Sequence, residues 1–205
     1  ILNGVAFVGW NPGTEKEIFT HDELVESFDL ERVQKSPAVF NEIKLEWFNK
    51  EHMKKLSKEE IEKEIFARLP DTLHLQGIIP IIFDRISKWS DVDTMIQNAE
   101  IDFFAKEPSI DPSKLSYKDI EISETKKSLE SVIQNLEEIS DSNFTVENIK
   151  LSIMRIADSA PSRGAVLHPV RYALTGLDKS PDPFTVASIL GKNETIKRLQ
   201  KAVTL

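Results

Sequence analysis

The stretch PSRGAVLHPVRYALTGLDKSPDPFTVASILGKNETIKRLQKAV, residues 161–203, decides the fold class. Its punctuation is helical. Pro169 suits the first turn of a helix, where a missing N–H costs nothing, and Gly176 suits the residue that stops one. SPDPFTVASILG repeats the grammar, with Asp182 as cap, Pro183 in the first turn and Gly191 as stop. KNETIKRLQKAV then starts again from Asn193. Three short helices with sharp ends are expected. Each start would present unpaired N–H groups, which suit phosphate or base oxygens.

Working back along the chain, the same grammar recurs. Thr145 is placed to cap VENIKLSIMRIADSA, and SETKKSLESVIQNLEEI precedes it. The two-proline segment KEPSIDPSK, residues 106–114, reads as a loop after a short helix near 91–98. Pro70 ends one helix, and Asp71 can cap another over about 72–89, which Pro80 should kink. Ser57 followed by Glu60 is a capping box for a helix over about 58–69. Asn41 caps NEIKLEWFNKEHMKKL, whose spacing puts Ile43, Leu45, Phe48 and Leu56 near one face. Thr20 and Glu23 form a further capping box before DELVESF. No strand-period run, internal repeat, heptad array or low-complexity tract interrupts this pattern, so the class is all-α.

Composition narrows the function classes. A chain of 205 residues with 40% apolar and 29% charged residues can bury a substantial core. No apolar run approaches 18 residues, so no membrane span is expected. The chain starts at Ile1, and we expect it to be cut from something longer. Cysteine is absent, which excludes disulfides, thiolate chemistry and Cys-type zinc sites, and suits a reducing cytoplasm. The net charge of -8 is unevenly spread. Residues 151–205 hold eight Lys/Arg and four acids, whereas residues 1–150 hold 18 basic and 30 acidic residues. A basic segment on an acidic protein can localise a polyanion, or it can be two solvated surfaces that differ by chance.

Catalytic signals are missing. His21, His52, His74 and His168 have no metal-ligand spacing and read as surface or packing residues. There is no Gly-x-Ser-x-Gly, no dinucleotide fingerprint around Gly4 and Gly9, and no carboxylate pair that stands out. The Asn143 and Asn193 sequons read as helix starts. What remains is Arg171, alone among Val166, Leu167, Val170, Ala173 and Leu174. It either pairs with a carboxylate or caps carbonyls, or its guanidinium reads or stacks on a nucleic-acid base.

The segments VLHPVRYALTG (166–176) and SPDPFTVASILGKNETIKRLQKA (180–202) resemble the C-terminal signature of bacterial-type glutamyl-tRNA synthetases. ILNGVAFVGWNPG and EIFTHDELVESFDLERVQKSPAVFNEIKLEWFN resemble the segment that follows the ATP loop in the same enzymes, so the likeness spans the chain. It implies a stem-contact region over residues 1 to about 70 and a helical anticodon-binding cage over 71–205, with subdomains of about 71–150 and 151–205. By position in the motif, Arg171 matches the arginine that contacts the first anticodon base. Ser180, Pro181 and Pro183 match positions that wall the anticodon pocket. Lys35, Ser36, Lys44, Lys50 and Lys179 become tRNA-backbone candidates, the plain alternative being a solvated basic face.

The resemblance also implies that catalysis, with ATP and magnesium as the parent enzyme's cofactors, lies upstream. This portion would bind no cofactor or metal and hold no catalytic residue. The tetrapeptide Lys55–Lys58, KLSK, looks like the synthetase ATP loop, but Glu59 and Glu60 would repel a triphosphate, and the capping box accounts for it. The expected partner is tRNA(Glu). Many members that reject tRNA(Gln) carry an arginine near the end of the first cage helix, where alignment here places Ile82 with Arg85 nearby. An aliphatic side chain cannot select a base by hydrogen bonding, so tRNA(Gln) is expected as a second partner. A monomer in the cytoplasm is expected. Two other readings stay open: an all-α protein-interaction module with Arg171 in a buried ion pair, and a small ATP-dependent enzyme using Lys55 and Lys58.

Overall fold

The computed structural model describes residues 1–36 and 39–205. Among these the structure is all-α, with one isolated bridge between Trp10 and Val33 and no strand. The chain divides into two compact units. One comprises residues 1–70 and 79–94, the other 71–78 and 95–205. Residues 79–94 thus group with the first seventy, whereas the sequence reading began the helical cage at about 71. No division falls near 150.

In the first unit, helices α1 (Leu2–Ala6), α2 (His21–Ser27) and α3 (Glu42–Met53) gather around Asn3. Its buried amide donates to the Glu17 carbonyl at 2.9 Å, and its Oδ1 accepts from the Phe19 N–H at 2.8 Å. His52 Nε2 lies 3.1 Å from the same Oδ1. One buried amide therefore ties three segments together, and every polar atom it buries has a partner. Trp10, Phe19 and Leu24 form the adjoining apolar cluster, with Phe7 edge-on to Trp10 at 5.7 Å. Gly4 lets α1 approach α3 closely: a Cβ there would lie 2.6 Å from Leu45 Cδ1, so the leucine tip would have to move.

The expected caps are present. Thr20 and Glu23 exchange backbone and side-chain bonds at the start of α2, and Asn41 accepts from the Lys44 N–H at the start of α3. Ser57 and Glu60 do the same for α4 (Lys58–Phe66), so the KLSK tetrapeptide is a helix start. The proposed apolar face of α3 needs correction. Phe48 is buried, with Met53 beside it in the core, but Ile43 is 79% exposed and Leu56 lies at the surface. Helical spacing names a face, and the neighbouring elements decide how much of that face is covered.

Pro80 does not kink a long helix. Residues 71–73 form a 3-10 turn, Gly77 takes φ +85°, and α5 (Ile78–Arg85) begins only then. Pro80 falls in its first turn, where the missing N–H is harmless. Helix α6 (Ser90–Gln97) follows. Ile82 is fully buried. A buried aliphatic side chain at this position offers no hydrogen-bonding group to a base.

The second unit packs α7 (Ile122–Glu137), α8 (Val146–Ala157), α9 (Gly164–Thr175) and α10 (Pro183–Thr204) against one another. Thr125, Leu129, Val132, Ile133 and Leu136 form the buried stripe of α7, at the three- and four-residue spacing that one helix face provides. Pro169 lies inside α9, not at its first turn. The helix starts five residues earlier, at Gly164, where a Cβ would lie 2.6 Å from the Tyr117 ring. Gly176 ends α9 with φ +67°, its N–H bonding the Tyr172 carbonyl at 2.7 Å. Gly191 is non-helical at φ 77° and ψ 166°, so two helical segments meet there at a kink. The Thr195 hydroxyl donates to the Ala187 carbonyl at 3.1 Å across that kink.

Candidate functional site

The C-terminal end of α9 is fixed from several sides. Arg198, on α10, is 4% exposed. Its Nη1 donates to the carbonyls of Leu174 and Phe103, both at 2.7 Å, and its Nη2 to Lys106 at 3.3 Å. Its Nε bonds Glu194 at 2.8 Å. The last carbonyls of a helix have no partner within it, and a cation there is also favoured by the helix dipole. One guanidinium thus joins α9, α10 and the segment 103–106. Thr175 Oγ1 donates to the Arg171 carbonyl at 2.8 Å, closing the last turn.

Arg171 projects from this anchored helix and is half-buried. Among the described residues no carboxylate pairs with it. Its Nη2 meets His168 Nδ1 at 3.5 Å, one turn earlier on α9. A partly sheltered guanidinium with no anion keeps its charge and its fork of donors for something else. Such a group can stack on a flat ring and donate to its edge together.

The loop after Gly176 is held at both ends. Lys114 Nζ pairs with Asp178 at 3.0 Å. Asp182 accepts from the Phe184 and Thr185 N–H groups at the start of α10, and from the Thr185 hydroxyl at 2.7 Å. That helix start was read as presenting free N–H groups for phosphate; Asp182 already occupies two of them. Pro183 is buried, Ser180 and Pro181 are half-buried, and Lys179 is exposed. The Ser180 hydroxyl donates to the Pro181 carbonyl at 3.3 Å. No hydrogen bond joins Arg171 to Ser180, Pro181 or Pro183 among the described residues.

The charge excess of the C-terminal segment is smaller at the surface than in the sequence. Arg198 is buried, Lys197 and Lys201 both pair with Glu107, and Arg163 pairs with Asp158. Lys192 donates to the carbonyls of Glu137, the last residue of α7, and of Ile139 just past it. Arg155, Arg171 and Lys179 are left without a carboxylate among the described residues.

The other backbone candidates lie in the first unit. Lys35 and Ser36 are exposed. Lys44 pairs with Glu17 at 2.8 Å. Lys50 donates to the Phe83 carbonyl and lies 4.1 Å from the centre of the Phe83 ring. Burial lowers its pKa below the usual lysine range. Lys50 is therefore engaged within the fold, and Lys35 and Ser36 remain the more available pair. Sequence reasoning missed His168, which it read as a surface or packing residue, and Arg198, which it counted only within the basic C-terminal segment. The spacing of His168 three residues before Arg171, one helical turn, was the available signal for the first. Nothing local marked the second.

No group of three or more metal-ligating side chains occurs among the described residues, and no helix there is long and apolar enough to cross a membrane. The chain belongs to the anticodon binding domain family, whose model matches residues 44–203.

The relatives are more specific. The glutamate–tRNA ligase of Clostridium kluyveri is 35% identical over 99% of this chain, and that of Clostridium botulinum strain Eklund 17B is 33% identical over all of it. The crystal structure of a glutamate tRNA ligase from Elizabethkingia meningosepticum, in complex with its amino acid, matches 99% of the chain with a TM-score of 0.75 at 30% identity. The glutamate-tRNA synthetase of Elizabethkingia anophelis matches 100% with a TM-score of 0.70 at 30% identity. The chain spans 40–43% of the length of these proteins.

Proposed function

We propose that this chain is the tRNA-recognising part of a glutamate–tRNA ligase, with Arg171 contacting the first anticodon base. Its partners are tRNA(Glu) and, with isoleucine rather than arginine at position 82, tRNA(Gln), and it acts as a monomer in the cytoplasm. The parent protein would activate glutamate with ATP and magnesium and transfer it to the tRNA. The present chain would supply selection and positioning, and no bond-making group. The observation that carries this reading is the likeness along the whole chain to proteins bearing that name. Arg171, half-buried and without a carboxylate partner among the described residues, supports its place in the contact. An interaction module built around a buried Arg171 ion pair has no such pair to support it. The Ser57–Glu60 capping box favours helix initiation over nucleotide binding at Lys55 and Lys58.

The test is binding of the chain to an unmodified tRNA(Glu) transcript, beside one altered at the first anticodon base, at two salt concentrations. Tighter binding to the correct anticodon, lost in Arg171→Ala, is the expected result. Backbone contacts should weaken as salt rises, because bound cations released from the RNA then gain less entropy. Equal binding of both transcripts would refute base reading, and absence of binding at low salt would refute the tRNA assignment for this chain.

A further inference from the structure

His168 has an ordered role that the proposed contact does not assign. Its Nε2 lies 2.9 Å from the Lys114 carbonyl oxygen, which can only accept. In the neutral ring Nε2 therefore carries the proton, and Nδ1 is left as an acceptor. That lone pair meets Arg171 Nη2 at 3.5 Å, the outer limit of a hydrogen bond. The ring is held flat beside Tyr172, with centroids 6.0 Å apart and planes 9° apart, and lies 5.8 Å from Tyr117. The 114–117 segment and α9 thus fix both the orientation and the tautomer of one imidazole. They leave its acceptor facing the guanidinium.

We infer that His168 is a positioning residue for Arg171, fixing the guanidinium in one orientation for base discrimination. This rests on the reading that Arg171 contacts an anticodon base. An arginine on a flexible stem loses rotamer freedom when it binds, and a partner that has already ordered it reduces that loss. The neutral form of an imidazole suits this task because it offers an acceptor without a charge. A carboxylate at the same place would neutralise the guanidinium and compete with the base for its donors.

Two amide variants separate positioning from packing. In His168→Asn, the side-chain oxygen overlays the Nδ1 position and keeps an acceptor beside Arg171. In His168→Gln, the amide nitrogen overlays Nε2 and keeps the donor to Lys114, but nothing occupies the Nδ1 position. Binding of the full chain is measured to the tRNA(Glu) transcript and to the same transcript altered at the first anticodon base. The ratio between them should fall about tenfold in His168→Gln and stay near wild type in His168→Asn. Circular dichroism should show both variants folded. Nitrogen-15 spectra of the wild-type ring should show the Nε2–H tautomer.

If Arg171→Ala abolishes discrimination and His168→Gln does not, positioning by His168 is wrong and base reading by Arg171 stands. If Arg171→Ala leaves discrimination intact, both are wrong. Equal losses in the Asn and Gln variants would make His168 a packing residue and overturn the inference, as would an Nδ1–H tautomer.

Discussion

Arg198 donates from Nη1 to the Leu174 carbonyl at 2.7 Å, three residues beyond Arg171 on the same helix. The geometry of the proposed base reader is thus braced by a second arginine that is itself buried. Arg198→Met removes the donors from the Leu174, Phe103 and Lys106 carbonyls and leaves Glu194 only its longer contact with Lys197 at 3.5 Å. Losing one member of a buried charged network costs ~3 kcal/mol or more. Urea unfolding should show that loss, and Arg198→Lys should restore little of it, since an ammonium cannot reproduce the planar fork.

Gly176 is required by conformation and by space. At φ +67°, alanine pays for the left-handed backbone, and its Cβ would lie 2.8 Å from the Ser109 carbonyl oxygen. Gly176→Ala should lower stability by ~2 kcal/mol, adding contact strain to about 1 kcal/mol of backbone cost. A thermal melt unchanged from wild type would mean that the 108–109 segment can withdraw from the end of α9.

Ile82→Arg tests whether position 82 can select between tRNAs. The side chain it replaces is fully buried, so the new charge would need burial without a partner or local unfolding. The variant should lose ~3 kcal/mol or more in chemical denaturation. A stable variant that newly rejects tRNA(Gln) would instead return position 82 to the RNA-facing surface.

Glu23 links the first unit to acid pH. It accepts from Lys16 Nζ at 2.6 Å and from the Thr20 N–H at 2.8 Å. The hydrogen bond from Lys16, then that from Thr20, holds its pKa down at about 2 against the usual 4.5. A depressed folded-state value means that the unfolded chain takes up the proton first. The contribution of Glu23 is complete above about 4.5 and is lost as pH falls toward 2. The stability difference between wild type and Glu23→Gln should therefore shrink across that interval. Because the Glu23 side chain is partly open to solvent, the effect should weaken further in high salt.

The sequence by itself determined the all-α class and most of the punctuation. Thr20 with Glu23, Ser57 with Glu60, Asn41, Thr145, Asp182 with Pro183, and Gly176 all act where their local chemistry placed them. Caps and stops work through backbone groups within about four residues, so a linear reading contains what they need. Arg171 could be singled out too, though as an arginine with two possible fates.

Tertiary structure alone decided which side chains are free to act. Arg198 looks like surface charge until Phe103, 95 residues away, supplies a carbonyl for it. Gly164, not Pro169, starts α9 and passes close to the Tyr117 ring, and Ile43 stays exposed on a face that spacing alone marks as buried. His168 gains an acceptor for Arg171 only because the Lys114 carbonyl, 54 residues away, fixes its proton. Burial and proton placement depend on groups far off in the chain. Periodicity and capping carry no information about which of those groups will meet.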